Sequence, residues 1–320
     1  MTALGKAGAV ALVMGLAVGV LGSCRKPPAE ALAGTINLSG AWALYPMALK
    51  WAEEFEKLRP GIKVDVQAGG AGKGVADVLS GMVDLGMVSR DIRPEEIEKG
   101  AFPVSVTKDA VVPTASAANP YLKDILAKGL SRAVLAEIWT GRKSLSWGQV
   151  LGLPSSDPVH VFTRSDACGA AETWAAYLGG RQEDLGGVGV FGDPGLAEAV
   201  RRDALGVGYN NVNFAYDAQS LRPVEGLAVV PIDLDGDGAA GPDESFYGTR
   251  DELTAAIARG TYPSPPAREL FLVAKGKPAR AAVVEFLKWV LTDGQAFVPE
   301  TGYIRLAPER AAEGLRSIGR

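Results

Sequence analysis

Strand-like and helix-like hydrophobic patterns alternate along the first part of the chain. Residues 35–39 look extended and residues 62–66 alternate in polarity, while a third short run follows at residues 84–88. Between the first two runs, apolar side chains such as Met47 and Trp51 recur at helical spacing. Strand, helix, strand, helix, strand predicts an α/β fold with a parallel sheet that collects ligands at the carboxyl ends of its strands.

A second unit of the same kind is predicted after a boundary at residues 111–121, which are mostly small and bracketed by prolines. It contains a strand at residues 159–162 and a helix after Cys168. The chain then resumes with a strand at residues 270–273 and a helix at residues 281–291. A length of 320 residues is more than one domain usually needs, so two lobes are expected.

The charge distribution excludes one class of partner. The formal net charge is −4, and no basic run with interleaved aromatic residues occurs, so nucleic-acid binding is not expected. An anionic ligand would need local positive charge. With two cysteines and one histidine, the chain also has few ligands for a soft metal ion.

The N-terminal segment has the order of a secretory signal. Lys6 precedes an apolar run at residues 9–21, which is short for a membrane span. The run ends in Leu-Gly-Ser before Cys24 and resembles the bacterial lipobox, in which the cysteine is lipidated. We therefore expect a lipoprotein signal peptide at residues 1–23, lipidation of Cys24, and a proline-containing tether at residues 24–33. The alternative is an ordinary signal peptide with an incidental cysteine.

An acidic segment at residues 233–244 matches the calcium-loop pattern D-x-[DN]-x-[DN]-G-x5-E at every defined position. Carboxylates and one backbone carbonyl would bind the ion, and glycine would form the turn. The segment before it looks extended, so it is not a helix–loop–helix pair. A structural calcium ion is the only cofactor expected, and the alternative is a solvated acidic turn. The proposed ligands are Asp233, Asp235, Asp237, the carbonyl of Ala239, and Glu244.

Several landmarks, in the same order, resemble the phosphate-binding proteins of ABC importers, which are type II periplasmic binding proteins. They are the segments 40–46, 51–55, 68–74 and 84–90, Arg164 followed by residues 168–170, residues 262–270, and residues 292–304. The resemblance implies two lobes, each a mainly parallel sheet flanked by helices, joined by two crossover hinge segments.

The lobe boundaries are placed near the proline-bracketed residues 111–121 and the proline cluster at residues 262–266. Lobe I would comprise residues 34–112 and 267–320, and lobe II residues 113–266 with the calcium-loop-like segment.

The resemblance also implies the ligand site. Each candidate loop precedes a predicted helix, whose N-terminal N–H groups and dipole favour an anion. The guanidinium of Arg164 would grip two oxygens of a tetrahedral anion, although an ion pair with Asp166 is the alternative. The expected ligand-binding residues are Ala41, Trp42, Ala43, Gly70, Ala71, Gly72, Lys73, Ser89, Arg90, Arg164, Cys168, Gly169 and Ala170.

The departures from the family pattern concern hydroxyl groups. Ala41, Ala43, Ala71 and Ala170 stand where serine or threonine is usual, and Cys168 replaces a serine. Each lost hydroxyl removes a donor worth roughly 1.5–3 kcal/mol to a charged ligand.

Ser89 stands where some phosphate binders place an acid that accepts the phosphate proton. Sulfate, molybdate, tungstate, or an organic anion stacked on Trp42 therefore remain alternatives to phosphate.

These observations lead us to expect an exported, lipid-anchored, monomeric solute-binding protein on the periplasmic or cell-surface side of the membrane. It would capture a small inorganic or organic anion for an ABC importer permease, and it would not be an enzyme. One alternative is a sensor or surface module that uses the same fold without transport. A remote alternative is a hydrolase with Cys168 as nucleophile and His160 as base.

Overall fold

The computed structural model of the chain describes residues 1–2 and 32–319. Lipidation of Cys24, the signal segment and most of the tether concern residues 3–31, which lie outside the described residues. No helix in the described part is long and apolar enough to cross a membrane.

The first five elements follow the predicted alternation of strand and helix. Pro46 lies in the first turn of the first helix, where its missing N–H costs nothing. The side chains of Trp51 and Phe55 on that helix are fully buried, as their spacing predicts. The elements are β1 (Gly34–Gly40), α1 (Tyr45–Leu58), β2 (Ile62–Ala68), α2 (Ala71–Ser80) and β3 (Leu85–Val88).

The middle of the chain holds shorter elements connected by glycine-containing turns. They are α3 (Pro94–Glu98), β4 (Ala101–Ser116), α4 (Leu122–Lys128), β5 (Leu130–Ser131), α5 (Arg132–Thr140), α6 (Trp147–Leu151), β6 (His160–Arg164), α7 (Gly169–Leu178), β7 (Val188–Val190), α8 (Gly192–Arg202), β8 (Gly206–Asn211), α9 (Val212–Ala215), β9 (Leu227–Val229) and β10 (Ile232–Asp233). The last elements are α10 (Arg250–Arg259), β11 (Ala267–Lys275), α11 (Ala281–Leu291) and α12 (Pro308–Ile318).

Nine of the described strands form one sheet in the order β2-β1-β3-β11-β4-β8-β6-β7, with β9 also paired to β4. Strand β1 is parallel to β2 and β3, and β6 is parallel to β7 and β8. Strands β4 and β11 run antiparallel to their neighbours. Each end of the sheet therefore has the parallel strands that place loop residues at one edge.

Two hydrophobic cores lie on this framework, and we call them the first and second core. The first is built from residues between 36 and 106 and between 270 and 318, and the second from residues between 110 and 267. Strands β4 and β11 contribute side chains to both cores. These two antiparallel strands are the connections between the cores.

The stretch at residues 111–121, where the sequence predicted a boundary between two units, begins inside a strand. Strand β4 continues through it as far as Ser116, with Val111 and Val112 fully buried. Pro113 is tolerated in the strand, and the N–H of Val230 donates to its carbonyl. A run of β-branched residues buried on both faces outweighs the effect of one proline on the strand.

Candidate functional site

Loops at the ends of β2, β3 and β6 meet between the two cores. The N–H of Gly72 donates to the carbonyl of Ala167 at 3.3 Å. Gly169, the first residue of α7, lies so close to Ser89 that a Cβ at this position would clash with the serine carbonyl and hydroxyl. The structure therefore brings together three of the loops in which the sequence placed ligand-binding residues.

Gly70 shows why the first of these loops needs glycine. Its φ angle is +89°, and a Cβ there would lie 2.9 Å from the carbonyl oxygen of Ala167 and 3.1 Å from Asp166 Oδ2. A larger residue would be strained and would separate the loops. We call the place where Gly70, Gly72, Ser89 and Gly169 meet the junction. The N–H groups of the first turn of a helix have no partner within that helix, so α2 and α7 both direct donors towards it.

Arg164, at the end of β6, is fully buried and already paired with carboxylates. Its Nε donates to Asp166 Oδ1 at 2.8 Å and its Nη2 to Asp166 Oδ2 at 2.5 Å, while Nη1 donates to Asp193 at 2.5 Å. One positive charge thus faces two negative charges. The ion pair with Asp166 that the sequence left as an alternative is present, together with a second one, and a role for Arg164 as anion ligand remains a prediction.

A chain of polar contacts leads from Arg164 to the connecting strands. Asp193 Oδ1 accepts from Nδ2 of Asn211 at 2.8 Å, and Oδ1 of Asn211 accepts from Nη2 of Arg268 on β11. Asp109 is the cross-strand neighbour of Arg268 on β4. Burial places all of these groups in the low-dielectric interior, where their charges interact strongly.

Asp109 and Arg268 carry opposite charges but make no hydrogen bond to each other. Arg268 Nη2 lies 3.9 Å from Asp109 Oδ2, which is too long for a hydrogen bond. Both carboxylate oxygens of Asp109, and Nε and Nη1 of Arg268, have no side-chain hydrogen-bond partner among the described residues. Burial raises the pKa of Asp109 to about 7 despite the opposing charge of Arg268. Burial also lowers the pKa of Arg268.

Cys168 is a buried cap and not an activated thiol. The N–H of Ala171 donates to its sulfur at 3.4 Å, and burial raises the thiol pKa to about 12. His160 begins β6 and contacts Asp203 at 2.8 Å. Four strand steps of about 3.3 Å separate His160 from the end of the strand that precedes Cys168. Cys168 and His160 are therefore not brought together as the nucleophile and base of the hydrolase alternative.

The other predicted ligand residues have these surroundings. Lys73 is half exposed and pairs with Asp77 one helical turn later. Arg90 is buried and bound in bidentate fashion by Glu96 at 2.7 and 2.8 Å. The indole nitrogen of Trp42 is buried without a partner in the described chain.

Of the alanines at the hydroxyl positions, Ala71 and Ala170 lie in the first turns of α2 and α7, and Ala41 and Ala43 lie at the 3-10 turn Trp42–Leu44 that precedes α1. Ala41, Ala43, Ala71 and Ala170 are all almost completely buried. Their methyl groups offer no donor to a ligand.

The acidic segment folds into a loop between β10 and a short 3-10 turn at Pro242–Glu244. Carboxylate oxygens of Asp233, Asp235 and Asp237 lie within 4.8 Å of one another. Glu244 is buried and accepts from the N–H groups of Leu234 and Gly241, so it is tied to both ends of the loop. The three aspartates fit a hard cation such as calcium. Glu244 is not part of this converging group, so its role as an ion ligand, like that of the Ala239 carbonyl, stays a prediction.

Sequence reasoning missed Asp193 and Asn211, and it included Arg268 only within residues 262–270, one of the segments of the family likeness. Asp193 lies in the first turn of α8, three residues after the end of β7, and Asn211 ends β8. A polar residue at the carboxyl end of a parallel strand is the signal that identifies such positions. It was hard to use because β7 has only three residues.

Comparisons with known proteins give the family. The model of the PBP superfamily domain matches residues 26–294. The phosphate-binding protein PstS of Xylella fastidiosa Temecula1 is 26% identical, covering 88% of this chain and 85% of that protein. PstS of Methanocaldococcus jannaschii is also 26% identical, covering 96% and 92%. These relatives are named as binding proteins, in agreement with the expectation that the chain is not an enzyme.

Solved structures support the fold. A Clostridium perfringens protein solved with bound phosphate superposes with a TM-score of 0.69 at 20% identity, over 86% of this chain and 100% of that one. An ABC-type phosphate transport receptor of Vibrio cholerae gives 0.61 at 19% identity, over 85% and 100%. The two-lobed type II α/β fold expected from the sequence is confirmed, and the chain belongs to the PBP superfamily of solute-binding proteins.

Proposed function

We propose that this protein is an exported, lipid-anchored solute-binding protein that captures a small oxyanion, phosphate or a phosphate-like ion, for an ABC importer. The observation that carries the proposal is the junction of Gly70, Gly72, Ser89 and Gly169, where two helix N-termini converge. The names of the relatives, which bind phosphate, supply the ligand class. Lobe I would comprise residues 34–112 and 267–320, and lobe II residues 113–266.

Backbone N–H groups would hold the anion in place of hydroxyl groups. Ala71 and Ala170 provide no side-chain donor, whereas the first turns of α2 and α7 provide several backbone donors at the same junction. The charge of Arg164 is offset by two carboxylates, so the guanidinium would act as a positioning group with residual donors. A site built from backbone donors depends less on the protonation state of the ligand than a site with an acidic side chain does. Sulfate, molybdate and tungstate therefore stay alternatives to phosphate.

Calorimetric titration of the purified full chain with phosphate, arsenate, sulfate, molybdate and tungstate tests this proposal. A methyl group at Gly169 would collide with Ser89, so Gly169→Ala is expected to weaken binding at least tenfold. The matched control is Gly241→Ala, whose added methyl meets no atom within 4 Å and should leave binding unchanged. Heat from none of the five anions would refute the oxyanion site.

Export and anchoring rest on the N-terminal sequence. A signal peptide at residues 1–23, a lipidated Cys24 and a tether at residues 24–33 would hold the domain at the outer surface of the membrane, next to its permease. Cell fractionation tests this, because the native chain should be found with membranes and Cys24→Ala should not. Native protein recovered in the soluble fraction would argue for an ordinary signal peptide.

Transport is tested by deleting the gene of the proposed permease. If uptake of the anion persisted after the deletion, the sensor alternative would be favoured.

The calcium loop is proposed as a structural site that is remote from the anion. Asp233, Asp235 and Asp237 supply converging carboxylates, and Glu244 and the carbonyl of Ala239 would complete the set. Calcium sites of extracellular modules bind in the range of about 0.1–1 mM, so a few millimolar calcium should raise the melting temperature by several degrees. Asp235→Asn with Asp237→Asn should remove this shift. A melting temperature unmoved by calcium or chelator would reject the site.

A further inference from the structure

A groove of about 970 Å³ lies between the two cores, at the connecting strands. It is lined by side chains of both cores, and six of the lining residues are cationic. These are Arg90, Arg93, Lys108, Arg259, Arg268 and Arg310. The acidic lining residues are three, namely Asp91, Glu172 and Glu269. Cationic side chains therefore outnumber acidic ones in the lining of the groove, although the net charge of the whole chain is negative.

Half of the cationic groups already have carboxylate partners. Arg90 is bound by Glu96 and lies 3.2 Å from Glu172. Arg93 contacts Glu172 at 2.7 Å. Arg310 is likewise paired with two acids, at 2.9 and 2.6 Å. These pairs fix the walls of the groove and leave little charge for a ligand.

The other three cations are differently placed. Lys108 and Arg259 take part in no ion pair within residues 32–319, and Arg259 is exposed. Lys108 lies on β4 next to Asp109, and Arg259 is the last residue of α10. Two uncompensated charges thus approach the groove from different elements.

Arg268 joins the groove to the buried polar chain. Its side chain is 8% exposed, and its Nε and Nη1 have no partner in the described structure. Among the residues that the structure describes, its guanidinium donates to Oδ1 of Asn211 alone, and Asp109 is beyond hydrogen-bond distance. Burial raises the pKa of Asp109 to about 7, which weakens it as a counter-ion at neutral pH. A buried guanidinium with unused donors is costly unless an anion or water satisfies them.

We propose that this groove is a second anion site, which binds a small anion of two or more negative charges through Arg268, Lys108 and Arg259. The volume fits a ligand larger than an inorganic tetrahedral ion, since pockets for such molecules span roughly 300–1,000 Å³. The planar guanidinium of Arg268 suits the paired oxygens of a phosphate or carboxylate head. The site differs from the helix junction at Gly72 and Gly169, and it does not depend on the function proposed for that junction.

Calorimetry with inorganic pyrophosphate and with citrate as probes of the full chain tests the second site. Binding of at least one probe is expected, and it should weaken as salt is raised. Lys108→Gln with Arg259→Gln should weaken it tenfold or more without loss of fold, because neither side chain is fully buried. Lys123→Gln, an exposed lysine on α4, is the control and should bind as the native chain does.

Two further variants separate this site from the junction. Arg268→Gln should abolish probe binding, and its thermal melt reports whether the fold is retained. Gly169→Ala, which addresses the junction, should leave pyrophosphate and citrate binding intact. The proposal is overturned if neither probe binds, if the Lys108 and Arg259 substitutions change nothing, or if Gly169→Ala removes binding of both probes.

Discussion

Two buried arginines of this protein stand in opposite electrostatic situations. Arg164 on β6 makes three hydrogen bonds to the carboxylates of Asp166 and Asp193, and its side chain has no exposed surface. Within residues 32–319, the guanidinium of Arg268 on β11 makes one hydrogen bond, to the side-chain amide of Asn211, and lies 3.9 Å from the carboxylate of Asp109. Both belong to the same chain of polar contacts, which passes through Asn211.

The difference in carboxylate partners indicates whether each arginine could bind an external anion. A buried charge whose donors are satisfied within the protein stabilises a local arrangement, and removing it leaves its partners uncompensated. A buried charge with unused donors gains from an external anion. Arg164 therefore has the character of a structural group at the edge of the junction, whereas Arg268 has donors free for the anion of the proposed second site.

The strongest test of this comparison is Arg164→Ala. Loss of the guanidinium would leave Asp166 and Asp193 buried and unpaired, so the free energy of unfolding should fall by about 3–5 kcal/mol. Urea denaturation of the variant and of the native chain measures this. Arg93→Ala is the matched control, since its pair with Glu172 is partly exposed and should contribute less than about 1 kcal/mol. Equal losses in the two variants would contradict a structural role for Arg164.

The second test concerns the weak partner of Arg268. Burial raises the pKa of Asp109 from its usual 3.8 to about 7. Between these values the folded state keeps a proton that the unfolded state has released, so the free energy of unfolding falls as pH rises from about 4 to 7 and levels off above. The slope contributed by one proton is at most about 1.4 kcal/mol per pH unit. Chemical denaturation across this range measures it.

Asp109→Asn serves as the control for that measurement. The amide cannot titrate, so the stability of the variant should lose this contribution to the slope while other groups keep theirs. If native chain and variant had parallel pH profiles, Asp109 would be ionised throughout and Arg268 would have a full counter-ion.

The third test changes the charge around Arg164 without removing it. Asp193→Asn leaves one positive charge facing one carboxylate, so the junction becomes less negative by one unit. Inorganic phosphate should then bind about tenfold more tightly, which corresponds to about 1.4 kcal/mol. Calorimetry measures the affinity, and Glu225→Gln, an exposed acid, controls for the change in net charge. Weaker binding in Asp193→Asn would mean that Asp193 holds Arg164 in a ligand-binding orientation.

The sequence predicted the fold more completely than the site. Helical spacing at Met47, Trp51 and Phe55 and the polar alternation at residues 62–66 are local patterns, and the elements α1 and β2 formed where they predicted. The predicted helix at residues 281–291 has the same first and last residues as α11. The strand at residues 111–116 was not, because its small residues and proline resemble a linker unless burial by β8 and β9 is known.

The partners of charged side chains were beyond the reach of local patterns. Asp166 is two residues from Arg164, and that pair was foreseen as an alternative. Asp193 is 29 residues away and Asn211 bonds to Arg268 across 57 residues, so only the folded topology brings them together. Spacing in sequence reports neighbours on one element, whereas the charge balance of a buried site depends on several elements.

The smallest expected effect concerns Cys168, which lies beside Arg164 in the second core. A nearby guanidinium lowers a thiol pKa, but burial outweighs it here and raises the pKa of Cys168 to about 12. The thiol should therefore resist alkylation at pH 8 in the folded chain and react once the chain is unfolded in denaturant, as mass spectrometry would show. Cys168→Ser should change the free energy of unfolding by no more than about 1 kcal/mol, since a hydroxyl can also accept from the N–H of Ala171. Rapid alkylation of the folded chain would show that the junction opens readily. The charge of Arg164 would then be less well compensated than its three hydrogen bonds to carboxylates indicate.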